Sequence, residues 1–161
     1  MQSDYLDLTF PKQKNIALIA HDNRKKDMIE WCQQHAETLK KHFLCGTGTT
    51  ARLIADATSL PVRAYNSGPL GGDLQIGARI VENQIDCMIF FWDPLAAQPH
   101  DPDVKAIMRI AAVYDIPCAF NRSSADFLLT SAFMDEEYTH KVENFHKNVL
   151  GRFENMKSSE N

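Results

Sequence analysis

Short apolar runs alternate along the chain with longer segments whose apolar residues recur every three or four positions, the pattern of β-strands separated by amphipathic helices. The runs are NIALIAHD (15–22), HFLCGTG (42–48), PVRAYNSG (61–68), CMIFFWD (87–93) and IPCAFN (116–121). Each is apolar or β-branched and ends in polar residues or glycine, as strands buried on both faces do. Between them, Met28, Cys32, His35 or Ala36 and Leu39 share one helical face, and Val104, Ile107, Met108, Ala111 and Ala112 share another. Asp101 followed by Pro102 predicts an N-cap and a proline at the first position of this second helix. A helix over 73–84 carries Ile76, Ile80 and Val81, a shorter one follows Thr49, another follows Ser123, and a last runs from 138 to 155. The polar stretch SAFMDEEYTH (131–140) has no period and is expected to be a loop, and residues 156–161 are expected to fray.

Strands alternating with helices specify βαβ units. The expected fold is α/β: a single domain over 1–161 with an N-terminal arm at 1–13, built as a three-layer α/β/α sandwich around a doubly wound, five-stranded parallel sheet. A length of 161 residues suits one such domain, and 44% hydrophobic with 24% charged residues suits a globular chain. The formal net charge of -4 gives no steering toward nucleic acid. No apolar run approaches the roughly 20 residues of a membrane span, and MQSDYLDLTFPKQK lacks the apolar stretch of a secretory signal, so a cytoplasmic location without a membrane partner is expected. Cys32, Cys45, Cys87 and Cys118 lie far apart without metal-ligand spacing and are expected to be buried free thiols.

In an open parallel sheet, ligands bind beyond the carboxyl ends of the strands. The strand ends here are His21-Asp22, Thr47-Gly48-Thr49-Thr50, Ser67-Gly68, Asp93 and Asn121, polar residues that core packing does not require. TGTT between a strand and a helix offers backbone N–H groups and three hydroxyls, which suits a phosphate dianion as well as it suits threonine capping. Ser67-Gly68 repeats the device at the next strand end and favours a phosphate held between the two. Neither matches a P-loop or a dinucleotide fingerprint, so no nucleotide cofactor is expected. Lys25 stands near a helix start, where a cation opposes the helix dipole unless an anion binds beside it. In FFWDPLAAQPHDPDVK, Asp101 serves as a cap, Asp93-Pro94 suits a turn and Asp103 suits the positive end of the helix, while a carboxylate, Asp103 three residues on or Asp93, can also fix the tautomer of His100 and aim its other nitrogen at a substrate oxygen. NSGPLGGDLQIG surrounds Asp73 with glycine, which lets a substrate carbon come close and desolvates the carboxylate.

The strings AHDNRK, CGTGTT, NSGPLGGDLQIG and FFWDPLAAQPHDPDVKAIMR closely resemble methylglyoxal synthase over about residues 14–130, and the last helix with Arg152 is similar too. The resemblance implies a cofactor-free homohexameric lyase that converts dihydroxyacetone phosphate to methylglyoxal and inorganic phosphate through an enediolate. It implies Asp73 as catalytic acid/base, with Asp93 and Asp103 as supporting carboxylates. His21, Lys25, Thr47, Gly48, Thr49, Thr50, Ser67, Gly68 and His100 are implied to contact substrate, and Arg152 to approach the phosphate from a neighbouring subunit. Phosphate, as product, is expected to inhibit. The alternative is a regulatory ligand-binding module of the same fold that keeps the phosphate edge without chemistry.

Overall fold

The computed structural model describes residues 3–159. Five parallel strands, β2 (Asn15–Ala20), β3 (Phe43–Thr47), β4 (Val62–Tyr65), β5 (Cys87–Phe91) and β6 (Cys118–Ala119), form one sheet in the order β4-β3-β2-β5-β6. Helices α1 (Lys25–Gln34), α2 (Ala36–Leu39), α3 (Gly48–Thr58), α4 (Gly72–Val81), α5 (Asp101–Val113) and α6 (Arg122–Leu129) connect and follow the strands. The order reverses beside β2, and that reversal opens the crevice in which doubly wound sheets bind ligands.

Period-two alternation sorts each central strand between two cores. Ile16, Leu18 and Ala20 of β2 and Ile89 and Phe91 of β5 pack with Met28, Trp31 and Cys32 of α1, Ile54 of α3, and Ala125 and Leu129 of α6. Ala17 and Ile19 of β2 with Met88 and Phe90 of β5 pack against Ile76 and Ile80 of α4 and Val104, Ile107 and Ala111 of α5. The two faces make the three-layer sandwich. All four cysteines are free thiols, three of them buried and Cys118, against expectation, only half-buried at the short edge strand; burial pushes each of them up, those of Cys32, Cys45 and Cys118 to about 12. Among the described residues no helix is long and apolar enough to cross a membrane.

The structure corrects the sequence reading in several places. The stretch expected to be a loop and then a helix contains strand β7 (Tyr138–Glu143), and the N-terminal arm contains β1 (Tyr5–Phe10), of which residues 1–2 lie outside the described residues. The two pair antiparallel as a separate ribbon, from Tyr5 opposite Glu143 to Phe10 opposite Tyr138. His140 and Val142 are its buried positions, and the His140 ring stacks on Phe10 with centroids 4.0 Å apart. The last helix, α7 (Phe145–Ser158), therefore starts later and runs into the stretch expected to fray; residues 160–161 lie outside the described residues. Helix α4 ends before 84 because Asn83 takes a left-handed conformation, φ 56°. Asp101 is the first helical residue of α5 instead of its cap: the N–H groups of Asp103 and Val104 both donate to the carbonyl of His100, which turns the chain helical one residue early.

Lys14, buried between β1 and β2, ties the ribbon to the sheet. Its ammonium donates to the carbonyls of Pro11 and Glu136, the latter at 2.7 Å. Desolvation lowers its pKa, and the carbonyl partners offset part of the cost of burying the charge. Lys14→Met leaves those carbonyls without their donor. The variant should lose about 1–3 kcal/mol of stability, measured as a lower urea midpoint at unchanged slope.

Candidate active site

Four loops meet at the carboxyl edge of the sheet. His21 directly follows β2, where its backbone N–H donates to the carbonyl of Phe91 (3.2 Å) and its Nδ1 accepts from the backbone N–H of Asp93 (3.2 Å). A short turn at Asp22–Arg24 leads into α1, so Lys25 stands on the first turn of that helix. Its ammonium donates to Asp22 Oδ1 (2.5 Å) and to the carbonyl of Ala20 (3.3 Å). Strand β3 passes without a break into α3, and Thr47, Gly48, Thr49 and Thr50 form the junction. The first N–H groups of a helix have no intrahelical acceptor. That of Gly48 donates to the carbonyl of Asn66 (3.2 Å), tying this junction to the glycine loop, while the Thr50 hydroxyl donates to Ala20 O (3.4 Å).

The loop after β4 makes a single tight turn through Gly68–Leu70 before α4. Ser67 O accepts from the N–H groups of Leu70 and Gly72, both at 3.0 Å. A Cβ on Gly72 would stand 1.9 Å from Asn66 O, and one on Gly68 would stand 2.7 Å from His100 Nε2. A side chain at Gly68 would force the loop away from the imidazole, and one at Gly72 would break the turn against the Asn66 backbone. The loop delivers Asp73 to the first turn of α4, 1% exposed, with Oδ2 3.5 Å from His100 Nε2 and without a hydrogen bond.

These segments enclose a cavity of about 180 Å³. His21, Lys25, Thr47, Thr49, Thr50, Ser67, Gly68, Asp73 and His100 all line it. Gly48, Asp93, Asp103 and Arg152 do not. Arg152 is exposed on α7, whose described residues include none that is buried. Ile19, Ala20, Asp22, Pro69 and Gln98 complete the lining, and none of them is among the residues implied to contact substrate. Gln98 lies in an irregular segment, and only its place two residues before His100 pointed to the cavity. Among the described residues no group of three or more His, Cys, Asp or Glu is arranged to hold a metal ion.

The expectation that Asp103 fixes the His100 tautomer fails. His100 Nδ1 is buried without a hydrogen-bond partner, and the turn between the two residues closes through backbone atoms. Asp103 acts on Asp73 by charge, adding to the rise of its pKa. Asp93 does not bind the His100 ring either. Its carboxylate accepts from Asn23 Nδ2 (2.9 Å) and from the N–H of Leu95 (3.1 Å), while its own N–H serves His21.

A family model described as the MGS-like domain matches residues 27–120, more than half of the chain. The methylglyoxal synthase of Clostridium acetobutylicum is 58% identical over 137 residues, covering 85% of this chain and 94% of that protein. That of Leptospira interrogans is 56% identical over 132 residues, covering 82% and 89%. The crystal structure of methylglyoxal synthase from Elizabethkingia anophelis superposes with a TM-score of 0.85 at 46% identity, covering 89% of this chain and 95% of that one. The chain belongs to the methylglyoxal synthase family.

For a methylglyoxal synthase fold the two kinds of carboxylate at this edge differ sharply. Burial raises the pKa of Asp73, opposed by His100 and reinforced by Asp103. The hydrogen bond from Asn23, followed by that from Leu95, lowers the pKa of Asp93. Asp22 is lowered by its bond to Lys25. His21 is lowered by burial and then by His100, which favours the neutral ring.

The Asp73 shift has a sign that stability measurements can test. A carboxyl whose folded pKa is raised binds its proton more tightly when folded, so the charge penalises the fold increasingly as pH rises above the unfolded value. Asp73→Asn removes the penalty. The variant should be more stable than wild type at pH 7 by about 0.5–2 kcal/mol. The gain should vanish below the ordinary carboxylate value of about 3.9, as read by urea unfolding across that range.

Proposed function

We propose that this protein makes methylglyoxal and inorganic phosphate from dihydroxyacetone phosphate, with Asp73 as the base. The observation that carries the reading is the state of Asp73: buried, raised in pKa, with one oxygen unpaired beside an imidazole. A regulatory module would gain nothing from keeping a buried carboxylate unpaired, since such a group costs stability. Desolvation gives the carboxylate the basicity that abstraction of a carbon-bound proton requires.

In this reading the phosphate dianion lies against the start of α3, where the N–H groups of Thr49 and Thr50 and the dipole of an eleven-residue helix favour an anion. Lys25 supplies positive charge, and the hydroxyls of Thr47, Thr49 and Ser67 supply further donors. Gly48 contributes by holding the junction to Asn66. Asp73 takes a proton from the hydroxymethyl carbon next to the ketone, and negative charge moves to the carbonyl oxygen. His100 Nε2 and the Nε2 of the neutral His21 ring, as N–H donors, stabilise the enediolate that forms. The enediolate electrons then expel phosphate from the other carbon, leaving the enol of methylglyoxal, which takes up a proton on its methylene carbon. The clamp must hold the breaking C–O bond out of the enediolate plane, so that its σ* orbital overlaps the π system. Asp93 and Asp103 support without touching substrate. A cavity of about 180 Å³ suits a triose phosphate.

Helix α7 supports a homo-oligomer, a hexamer in this reading. Val149, Leu150, Phe153 and Met156 are exposed on it, and a second copy of the chain covers them. Arg152, on the same helix, reaches the phosphate of a neighbouring subunit. The cytoplasm, whose reducing conditions suit four free thiols, is the proposed location. Inorganic phosphate competes for the clamp as product and inhibitor.

Purified protein incubated with dihydroxyacetone phosphate should release methylglyoxal and phosphate in equal amounts. Asp73→Asn should lose nearly all kcat, and His100→Ala should lose about 10²–10³ of it. Undiminished turnover by Asp73→Asn would remove Asp73 as the base. The kcat/KM profile should fall on its acid side at a pH above the ordinary carboxylate range, because the protonated acid cannot accept the substrate proton. For Arg152, inactive Asp73→Asn and Arg152→Ala subunits should regain activity when mixed and reassembled, since one supplies what the other lacks. No recovery on mixing would place Arg152 outside its neighbour's site.

A further inference from the structure

The face of the cavity that carries His21 is held from outside by residues that do not line it. His21 Nδ1 accepts a hydrogen bond from the backbone N–H of Asp93 at 3.2 Å. A backbone N–H can only donate, so Nδ1 carries no proton and the single proton of the neutral ring sits on Nε2. That Nε2 is buried and has no hydrogen-bond partner among the described residues. The position of one main-chain amide therefore decides which nitrogen of His21 is left as a donor.

What holds that amide is the side chain of its own residue. Asp93 Oδ1 accepts from the N–H of Leu95, closing a small turn, and Oδ2 accepts from Asn23 Nδ2 at 2.9 Å. Asn23 stands two residues after His21, so the chain leaving β2 grips the chain leaving β5 twice. Once it does so through the ring that lines the cavity, and once through an exposed amide outside it. Among the described residues Asn23 makes no other hydrogen bond with its side chain and packs into neither core cluster. Its side-chain hydrogen bond goes to the carboxylate of the residue that carries the amide.

We propose that Asn23 is a positioning residue that acts through Asp93 to hold His21 in the tautomer with its proton on Nε2. The consequence for catalysis rests on the proposed function, in which His21 contacts substrate; the tautomer does not. The groups around the ring pull in both directions. Burial, His100 and Lys25 oppose a second proton, whereas Asp93 and Asp101 favour one, and the rings of Phe90 and His100 meet His21 edge-on with centroids 5.2 and 5.5 Å away. Without the fixed N–H at Nδ1, Asp93 remains close enough to stabilise an imidazolium. Loss of Asn23 should therefore both scramble the tautomer and let the ring take up a proton at higher pH.

The test compares wild type with Asn23→Leu, which keeps size without a donor, and Asn23→Gln, which keeps the amide. Long-range ¹H–¹⁵N spectra of the imidazoles, recorded from pH 8 to 5, give the tautomer and titration of His21 directly. Wild type and Asn23→Gln should hold the Nε2–H form, and Asn23→Leu should show mixed tautomers and titrate at higher pH. In parallel, Asn23→Leu should raise KM for dihydroxyacetone phosphate by about three- to tenfold, the range expected for a weakened polar contact, and move the acid limb of kcat/KM upward with little change in kcat. Identical His21 spectra in wild type and Asn23→Leu would overturn the proposal, as would an equal disturbance in Asn23→Gln. If wild type makes no methylglyoxal while the spectra shift as stated, the positioning role stands and the proposed reaction falls.

Discussion

Keeping a carboxylate in a dry place with an oxygen unpaired costs free energy that the rest of the molecule must supply. Asp73 is in that condition, and the neighbouring parts serve to keep it so. The parallel sheet brings the ends of β2, β3, β4 and β5 to one edge, and two separate cores of helix against strand fix that edge from both faces. The loop before α4 can bring the acid up against His100 only because Gly68 and Gly72 have no side chains to collide with the imidazole and with Asn66. The bond from Gly48 to Asn66 then joins the base-bearing loop to the anion-binding end of α3. Base and phosphate site are thus built from the same contacts.

The carboxylates around this edge show how environment assigns work. Asp93 receives donors on both oxygens and is held ionised, so it can organise backbone but has little basicity to offer. Asp22 is similarly tied to Lys25. Asp73 lacks such donors, and its pKa moves the other way. Residues of the same type separate into structural and reactive classes according to how many N–H groups reach them.

Much of this was legible in the chain. The five sheet strands, the faces of the helices and the cavity residues follow from apolar period and from polar residues gathered at strand ends. The β1–β7 ribbon did not follow. Its inward positions on β7 are only Val142 and a histidine, so that half carries no local strand signal; Leu6, Leu8 and Phe10 alternate on β1, but the partner that would make them a strand lies more than a hundred residues away. The role given to Asp103 failed for a related reason: a spacing of three suggested a side-chain bond to His100, but the turn spends that spacing on backbone bonds. The tautomer of His21 was out of reach because its determinant is a main-chain N–H, which every residue but proline possesses. Asn23 was hidden behind it, its meaning depending on where Asp93 lies in space.

The four thiols acquire a different significance once the product is considered. Methylglyoxal is a 1,2-dicarbonyl electrophile whose aldehyde carbon adds thiolates, and the enzyme that makes it is the first protein each molecule meets. Thiolates are the fast-reacting form of cysteine. A pKa near 12 leaves Cys32, Cys45 and Cys118 with roughly a thousandfold less thiolate than an open cysteine of about 8.5 has, and Cys87 is shifted further in the same direction. Packing that uses these thiols as small apolar filler also keeps them in the protonated, slow-reacting form beside an electrophilic product.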